Sequence, residues 1–216
     1  MLPFSISNKT RLFEISAVIF TAAGKFVFMD WLDLRTAFII VAIIFWSGYI
    51  IYRNKKKPGI EKYWGFRTDN FSETVKLILP FAIVSIVTLV CIGLFQKTLN
   101  LTWHIIPLLL LYPIWGVIQQ FLLIALTTGN LRDLKNSHIS KALIIILPAF
   151  LFGIIHYPFV WLIVGSFALG AFYGWIYQKQ KNLYVLGIFH GWLGAFFFYT
   201  VMNRDPFMEV FGKLLN

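Results

Sequence analysis

Four polar side chains lie inside long apolar runs of this 216-residue chain. Gln119 and Gln120 are adjacent in WGVIQQFLLIAL, His156 ends FLFGIIH, and His190 lies in LYVLGIFHGW. Removing an unpaired carboxamide from water costs about 1–3 kcal/mol, so these groups need partners within the protein. A neutral imidazole can accept a proton, and a carboxamide can orient water or donate to an oxyanion. We therefore treat Gln119, Gln120, His156 and His190 as candidate catalytic residues.

Each candidate also has a purely structural interpretation. The glutamine pair could form interhelical hydrogen bonds, worth about 0.6–2 kcal/mol. His156, near a helix end, could cap a carbonyl or lie at the outer interface, and His190 could be a satisfied buried histidine. The catalytic interpretation requires that the helices gather all four side chains into one pocket inside the bundle.

The composition predicts the elements that must hold these residues. The chain is 59% hydrophobic and 13% charged, with a mean hydropathy of +0.76, whereas a soluble domain is about 25% charged. We expect an all-α, polytopic membrane bundle of about seven transmembrane helices, forming a single integral membrane domain over 1–216. Pro158 should separate the fifth and sixth spans. The predicted spans are 12–29, 34–52, 75–95, 105–127, 141–157, 159–177 and 183–202.

The basic residues predict the orientation in the membrane. With the N-terminus in the cytoplasm, 14 of the 19 lysines and arginines lie on the cytoplasmic side, and Lys25, Arg35, Lys97, Arg204 and Lys213 lie outside. This split follows the positive-inside rule and explains the net charge of +10 better than nucleic-acid binding does. We expect an integral protein of a bacterial cytoplasmic membrane with its N-terminus inside. The first span resembles a signal peptide, but an uncleaved span is favoured.

The remaining ionisable residues argue against several kinds of site. Cys91 is the only cysteine, so an intramolecular disulfide and a cysteine-rich metal site are excluded. Two histidines with amide oxygens make a poor zinc site, and we expect neither a metal nor a cofactor. The nine acids fall in loops or at span ends. The basic segment after the second span should be solvated, with Trp64 at the head-group level.

Two stripes of small residues should let helices approach closely. Gly187, Gly191 and Ala195 recur every four residues on the seventh span, and Gly170 and Gly174 do so on the sixth. At 1.5 Å per residue, the glutamines lie roughly 10–12 Å, and His190 about 10 Å, from the cytoplasmic ends of their spans. The predicted pocket therefore lies below the inner surface of the membrane. His156, about 22 Å along the fifth span, fits this depth poorly.

The order of these features resembles the CPBP family of CAAX proteases and bacteriocin-processing enzymes, which are intramembrane peptidases. Its motifs are Glu-Glu-x-x-x-Arg, Phe-x-x-x-His and His-x-x-x-Asn/Asp. FGIIH matches the second motif at Phe152 and His156, and YQKQKNLYVLGIFHGW, preceded by LGAFYGWIY, resembles the approach to the third motif at His190. The CPBP-like region covers 107–200.

This chain departs from the family pattern at the remaining positions. Gln119 and Gln120 stand where the family has its glutamate pair, Ile124 takes the arginine position and Gly194 takes the Asn/Asp position. The resemblance implies that a glutamate and a histidine activate water while a histidine and an asparagine hold the oxyanion. A glutamine cannot serve as that base, so a histidine would have to, with Gln119 as oxyanion donor.

Two functions remain open. The first is a divergent intramembrane endopeptidase that processes or degrades prenylated, lipidated or membrane-anchored peptides. The second is a non-catalytic relative that binds a membrane partner in an immunity or assembly role. In both cases the partners are the lipid bilayer and a membrane-anchored peptide or protein. A small transporter is disfavoured because intramembrane charges and broken helix pairs are lacking.

Overall fold

The computed structural model describes residues 5–215, and side chains for residues 5–212, so Lys213 lies outside the described side chains. This part of the chain is helical and contains no strand. Two π-helical segments interrupt the series, Lys25–Trp31 after α1 and Phe121–Gly129 between α5 and α6. The helices are α1 (Asn8–Gly24), α2 (Arg35–Lys56), α3 (Ile60–Trp64), α4 (Phe71–Gln96), α5 (Ile105–Gln120), α6 (Asn130–Arg132), α7 (Lys141–Ile154), α8 (Val160–Lys179), α9 (Leu183–Thr200) and α10 (Pro206–Leu215).

Six helical stretches within the described residues are long and apolar enough to cross a membrane. The α7 helix is apolar but has only 14 residues, about 21 Å of helix, which is less than the roughly 30 Å of a hydrocarbon core. The predicted all-α polytopic bundle is confirmed, with six long spans and one short one. The long stretches are Asn8–Trp31, Arg35–Lys56, Phe71–Gln96, Ile105–Arg132, Val160–Lys179 and Leu183–Thr200.

The outer surface of the bundle is apolar. Phe20 is 77% exposed, Leu110 is 73% exposed and Phe95 is 90% exposed. Large side chains of this kind cover the helices on the faces that point away from the core. Such a surface is compatible with lipid and not with water, and the chain is an integral membrane protein.

The small-residue stripe of α9 brings this helix against the backbone of α5. A Cβ atom added to Gly187 would lie 2.5 Å from the Cα of Val117, and one added to Gly191 would lie 2.6 Å from the nitrogen of Pro113. On α5, a Cβ atom at Gly116 would lie 2.3 Å from the carbonyl oxygen of Gly187. The predicted close approach is therefore confirmed, and it fixes the faces that α5 and α9 turn toward each other.

Side-chain caps fix where three helices begin. The hydroxyls of Ser7 and Ser140 accept from the amides of Thr10 and Leu143, at the starts of α1 and α7. The Asn182 side chain accepts from the Val185 amide at the start of α9. An N-cap of this kind is worth about 1 kcal/mol because it satisfies an otherwise unpaired amide of the first turn.

Glu14 was expected at the end of a span, but it lies within α1 and is buried in the bundle. Its side chain is only 1% exposed and pairs with Arg53, which is also buried. Tyr49 donates to the same carboxylate at 2.6 Å, and Asn130 donates to its other oxygen at 2.7 Å. Arg53, in the last turns of α2, is thus an internal partner for α1, because a carboxylate inside the bundle needs a compensating charge.

Trp64 also differs from expectation. It was predicted at the head-group level, but it is fully buried, with its ring 5.0 Å from the ring of Phe121. The short helix α3 folds back under the bundle, and Tyr177 donates to the carbonyl oxygen of Trp64 at 2.7 Å.

Candidate active site

One cavity of about 490 Å³ lies within the bundle, between residues of α1, α2, α4, α5, α7, α8 and α9. Most of its walls are apolar side chains. Gln119, His156 and His190 all line it. The structure therefore brings three of the four candidate residues to a single cavity: Gln119 lies on α5, His190 lies on α9, and His156 lies between α7 and α8.

The fourth candidate, Gln120, lies behind the cavity wall. It is fully buried, and its Nε2 atom lies 2.5 Å from Nδ1 of His190. Adjacent residues of a helix point about 100° apart, so Gln119 faces the cavity while Gln120 faces α9. The two glutamines thus have different environments, which their adjacency in the sequence does not reveal.

His190 is held by the packing of α9 on α5. It lies next to Gly191, whose close approach to the backbone of Pro113 fixes the rotation of α9. It is seven residues from the first residue of α9, Leu183, which corresponds to about 10 Å of helix. Its depth is thus close to the one predicted from the sequence.

His156 follows directly after the short helix α7. Its Nδ1 atom lies 2.8 Å from the carbonyl oxygen of Phe152, one turn earlier. Because α7 is too short to cross a full hydrocarbon core, its end can stay inside the bundle. The sequence placed His156 too far along the span to meet the other groups, but the structure places it at the same cavity as His190, with Phe152 in contact with both rings.

Phe152 lies between the two imidazoles. Its ring centroid is 5.2 Å from that of His156 and 5.2 Å from that of His190, so the two imidazole centroids are at most about 10 Å apart. Phe152 is 2% exposed, and its fixed position helps to set the separation of the two histidines. This is the phenylalanine of the Phe-x-x-x-His pattern.

These contacts also support the structural interpretations. The Gln120–His190 contact joins α5 to α9, and the contact of His156 with Phe152 satisfies a helix-end carbonyl. The geometry distinguishes the residues by exposure to the cavity: Gln119, His156 and His190 line it, whereas Gln120 contacts His190 behind its wall.

The far end of the cavity carries charged side chains that the sequence did not single out. Lys25, Asp30, Arg35 and Arg204 all line it, and Lys25 donates to Asp30 at 2.6 Å. These residues belong to the helix ends on the face opposite the basic loops. The cavity therefore extends from the depth of His190 toward the predicted outer surface of the membrane. In the sequence, the only signal for these four charged residues was their position at the ends of the predicted spans.

The positions that depart from the family pattern also differ from each other. Gly194 lines the cavity, and a Cβ atom added there would meet nothing within 4 Å. Ile124 is fully buried in the core and does not line the cavity. Among the described residues, no group of three or more His, Cys, Asp or Glu side chains could hold a metal ion.

A comparison with family models identifies the region that contains the site. Residues 101–196 match the Rce1-like model, described as Type II CAAX prenyl endopeptidase Rce1-like. This match agrees with the predicted resemblance to the CAAX proteases of the CPBP family over this region. The match covers a little under half of the chain and includes Gln119, Gln120, His156 and His190. No curated protein and no solved structure matched the chain.

The residues matched by the family model form one part of the cavity wall, including the candidate residues that line it. The matched region begins just before α5 and ends within α9. Within it, α5 carries Gln119 and Gln120, His156 follows α7, and α9 carries His190. The chain outside the match contributes α1, α2 and α4, which form the other walls of the cavity. The matched region thus contains the candidate residues, and the remaining helices enclose them.

Proposed function

We propose that this protein is a divergent intramembrane endopeptidase that hydrolyses lipidated or membrane-anchored peptides in the cavity. The observation that carries this proposal is the convergence of Gln119, His156 and His190 on one largely apolar cavity. Membership in a family of CAAX endopeptidases supports it. The apolar walls suit a lipid chain or a hydrophobic peptide segment, and the three polar groups suit the peptide bond.

The chemistry requires a base, because the family's glutamates are replaced by amides. One imidazole takes a proton from a water molecule, and the resulting hydroxide oxygen bonds to the peptide carbonyl carbon. The Gln119 amide donates to the oxyanion that forms. The carbon–nitrogen bond then breaks, and the imidazolium returns its proton to the departing amine. A neutral histidine is enough for this cycle, so no carboxylate is needed.

The substrate should reach the site from the face opposite the basic loops. Lys25, Arg35 and Arg204 lie at that end of the cavity, which is extracytoplasmic in the predicted orientation. On the opposite side, the large buried side chains of Trp64, Phe121 and Tyr177 fill the interior. A membrane-anchored peptide would thus place its lipid among the helices and its polar part near the charged end.

The direct test uses the full chain reconstituted in lipid nanodiscs with a prenylated peptide. Mass spectrometry should detect a new peptide terminus with the wild type, and the product should fall at least 10²-fold in His190→Ala. The matched control is His138→Ala, because His138 lies in the loop before α7, outside the residues that line the cavity. Equal cleavage by both variants would refute the role of His190.

One observation favours the second candidate function, a non-catalytic binding protein. Gln119 and Gln120 are amides, and neither can accept the proton that the family's glutamates accept. Under this alternative the same nanodiscs bind the prenylated peptide, and neither the wild type nor His190→Ala releases a product. Bound peptide with no new terminus after prolonged incubation therefore selects the binding function.

A further inference from the structure

We infer that an anionic phospholipid binds between α1 and α2, with one acyl chain in the groove that separates these helices and its phosphate beside Lys25 and Arg35. The lipid belongs to the leaflet on the face opposite the basic loops. This site goes beyond the proposed function, because it lies on helices outside the region that matches the family model and requires no hydrolysis.

The groove is apolar and has a volume of about 630 Å³. One wall is formed by residues of α1 and the following π-helical segment, from Phe13 to Phe28, and the other by residues of α2, from Leu34 to Trp46. Phe13, Phe28 and Leu34 are exposed, so the groove opens to the bilayer. A site of this volume is within the range of small-molecule pockets.

The length of the groove fits one leaflet of the membrane. Between Leu34 and Trp46, the helix α2 rises about 18 Å, whereas the hydrocarbon of one leaflet is about 15 Å thick, half of the bilayer core. Trp31, in the segment that joins α1 to α2, is 80% exposed, as is typical of a tryptophan at the head-group level. An acyl chain that begins at this level would therefore run along the whole groove.

Two cations lie at the head-group end of the groove. Gly24 and Leu34 line this end, and Lys25 and Arg35 directly follow them in the chain. Both cations also line the charged end of the central cavity and are partly buried. A phosphate here can accept from both side chains, and charge-assisted hydrogen bonds of this kind are roughly twice as strong as neutral ones.

The carboxylates near these cations leave a place for a further anion. Asp30 pairs with Lys25 at 2.6 Å. Glu209 accepts from Arg204 at 2.6 and 2.7 Å and lies 3.4 Å from Arg35, so one carboxylate is shared by two guanidinium groups. The Arg35 contact is longer than an ordinary hydrogen bond, and a phosphate can bind Arg35 while Glu209 stays on Arg204. The site therefore favours a lipid with a net negative charge.

The groove adjoins the central cavity. Thr21 and Phe38 line both. A Cβ atom at Gly24 would lie 3.2 Å from the ring of Phe38, so the glycine provides the space that this ring occupies. A chain in the groove would contact Phe38 and complete the cavity wall between α1 and α2. The lipid thus helps to enclose the candidate site without touching its histidines.

The first test measures the lipid preference of the protein. The full chain in detergent is mixed with equal amounts of phosphatidylglycerol and phosphatidylcholine that carry identical chains, and bound lipids are counted by native mass spectrometry. We expect about 10-fold tighter binding of phosphatidylglycerol. Arg35→Gln should lose most of this preference, and Lys97→Gln, which removes an exposed cation that does not line the cavity, should keep it. Equal binding of both lipids by the wild type, or equal losses in the two variants, would overturn the inference.

The second test addresses the acyl chain. Ala37 lines the groove at an exposed position, so the indole ring of Ala37→Trp should occupy the groove and weaken phosphatidylglycerol binding about 10-fold. The control Ala142→Trp, at an exposed position on α7, should bind like the wild type. Glycerol phosphate, which has no chains, should not displace the lipid. Displacement by glycerol phosphate, or full binding by Ala37→Trp, would contradict a chain in the groove. Should Ala37→Trp fail to fold, the competition with glycerol phosphate still decides.

Discussion

The ring of Phe152 lies 5.2 Å from the imidazole of His190, centroid to centroid, with the two planes tilted by 55°. His156 meets the same ring at 5.2 Å in an edge-on arrangement of 80°. A single buried aromatic residue therefore contacts both histidines, although one follows α7 and the other lies on α9. The spacing of the candidate groups depends on this ring.

Replacing Phe152 should loosen both histidines. In Phe152→Leu the smaller side chain leaves space beside each imidazole, and we expect a loss of about 1–3 kcal/mol in the free energy of unfolding. The cleavage rate should fall by more than the affinity for the prenylated peptide. The control is Phe150→Leu on the same helix, where Phe150 is 59% exposed. Equal effects of the two changes on cleavage would show that Phe152 does not position the histidines.

The contact between α5 and α9 predicts a sharp difference between two glycines. Gly187→Ala would place a methyl group 2.5 Å from the Cα of Val117, so the helices must separate, at a cost of about 1–3 kcal/mol or more. Gly48→Ala on α2 meets nothing within 4 Å and should stabilise the helix by about 0.5–1 kcal/mol. Thermal unfolding of the purified variants in detergent measures both. A Gly187→Ala protein as stable as Gly48→Ala would mean that the helices are farther apart than described.

The buried pair of Glu14 and Arg53 should be sensitive to removal of one partner. Glu14→Gln leaves the Arg53 guanidinium buried without a counter-charge, and we expect a loss of about 3–5 kcal/mol. Glu73→Gln, at an exposed position in the first turn of α4, should change stability by less than about 0.5 kcal/mol. Adding Arg53→Met to Glu14→Gln should recover part of the loss. If the double variant is less stable than the single one, the two charges are not paired.

Lys181 predicts a dependence of stability on pH. Burial, together with the positive charge of Arg132, lowers the pKa of Lys181 to about 8, and its ammonium group lies 4.2 Å from the centre of the Tyr63 ring. The unfolded chain, with a pKa near 10.5, holds this proton more tightly than the folded chain does. The free energy of unfolding should therefore increase, and the fold become more stable, as the pH rises from about 8 to about 10.5.

The size of this contribution should be on the order of 1–3 kcal/mol. Lys181→Met lacks the titrating group, so the stability of the wild type should rise relative to this variant over that pH interval. Denaturant unfolding of both proteins at several pH values measures the difference, in which the other titrating groups cancel. A constant difference from pH 7 to pH 10.5 would show that the pKa of Lys181 is not lowered.

The sequence predicted the parts of the fold that depend on local patterns. Long apolar runs located the spans, and the four-residue spacing of Gly187, Gly191 and Ala195 predicted the close contact with a neighbouring helix. Polar side chains within apolar runs identified His156, His190 and the glutamines as residues that need partners. Each of these signals is contained in one short segment of the chain.

The remaining features depend on contacts between distant segments. Glu14 and Arg53 are 39 residues apart, and no pattern in either segment shows that they pair. The burial of Trp64 depends on Phe121 and Tyr177, which reach it from other helices. In the site, the sequence could not show that Gln119 faces the cavity while Gln120 faces His190, because this depends on the rotation of α5 against α9.

The proposed hydrolysis is tested most directly by cleaving the prenylated peptide in water enriched in oxygen-18, with the wild type and His156→Ala in nanodiscs. Attack by water predicts one heavy oxygen in the new carboxylate of the wild-type product, detected by mass spectrometry. His156→Ala should still bind the peptide but release at least 10²-fold less product. Peptide that binds to the wild type without being cleaved, or equal heavy-oxygen product from both proteins, would contradict hydrolysis by His156.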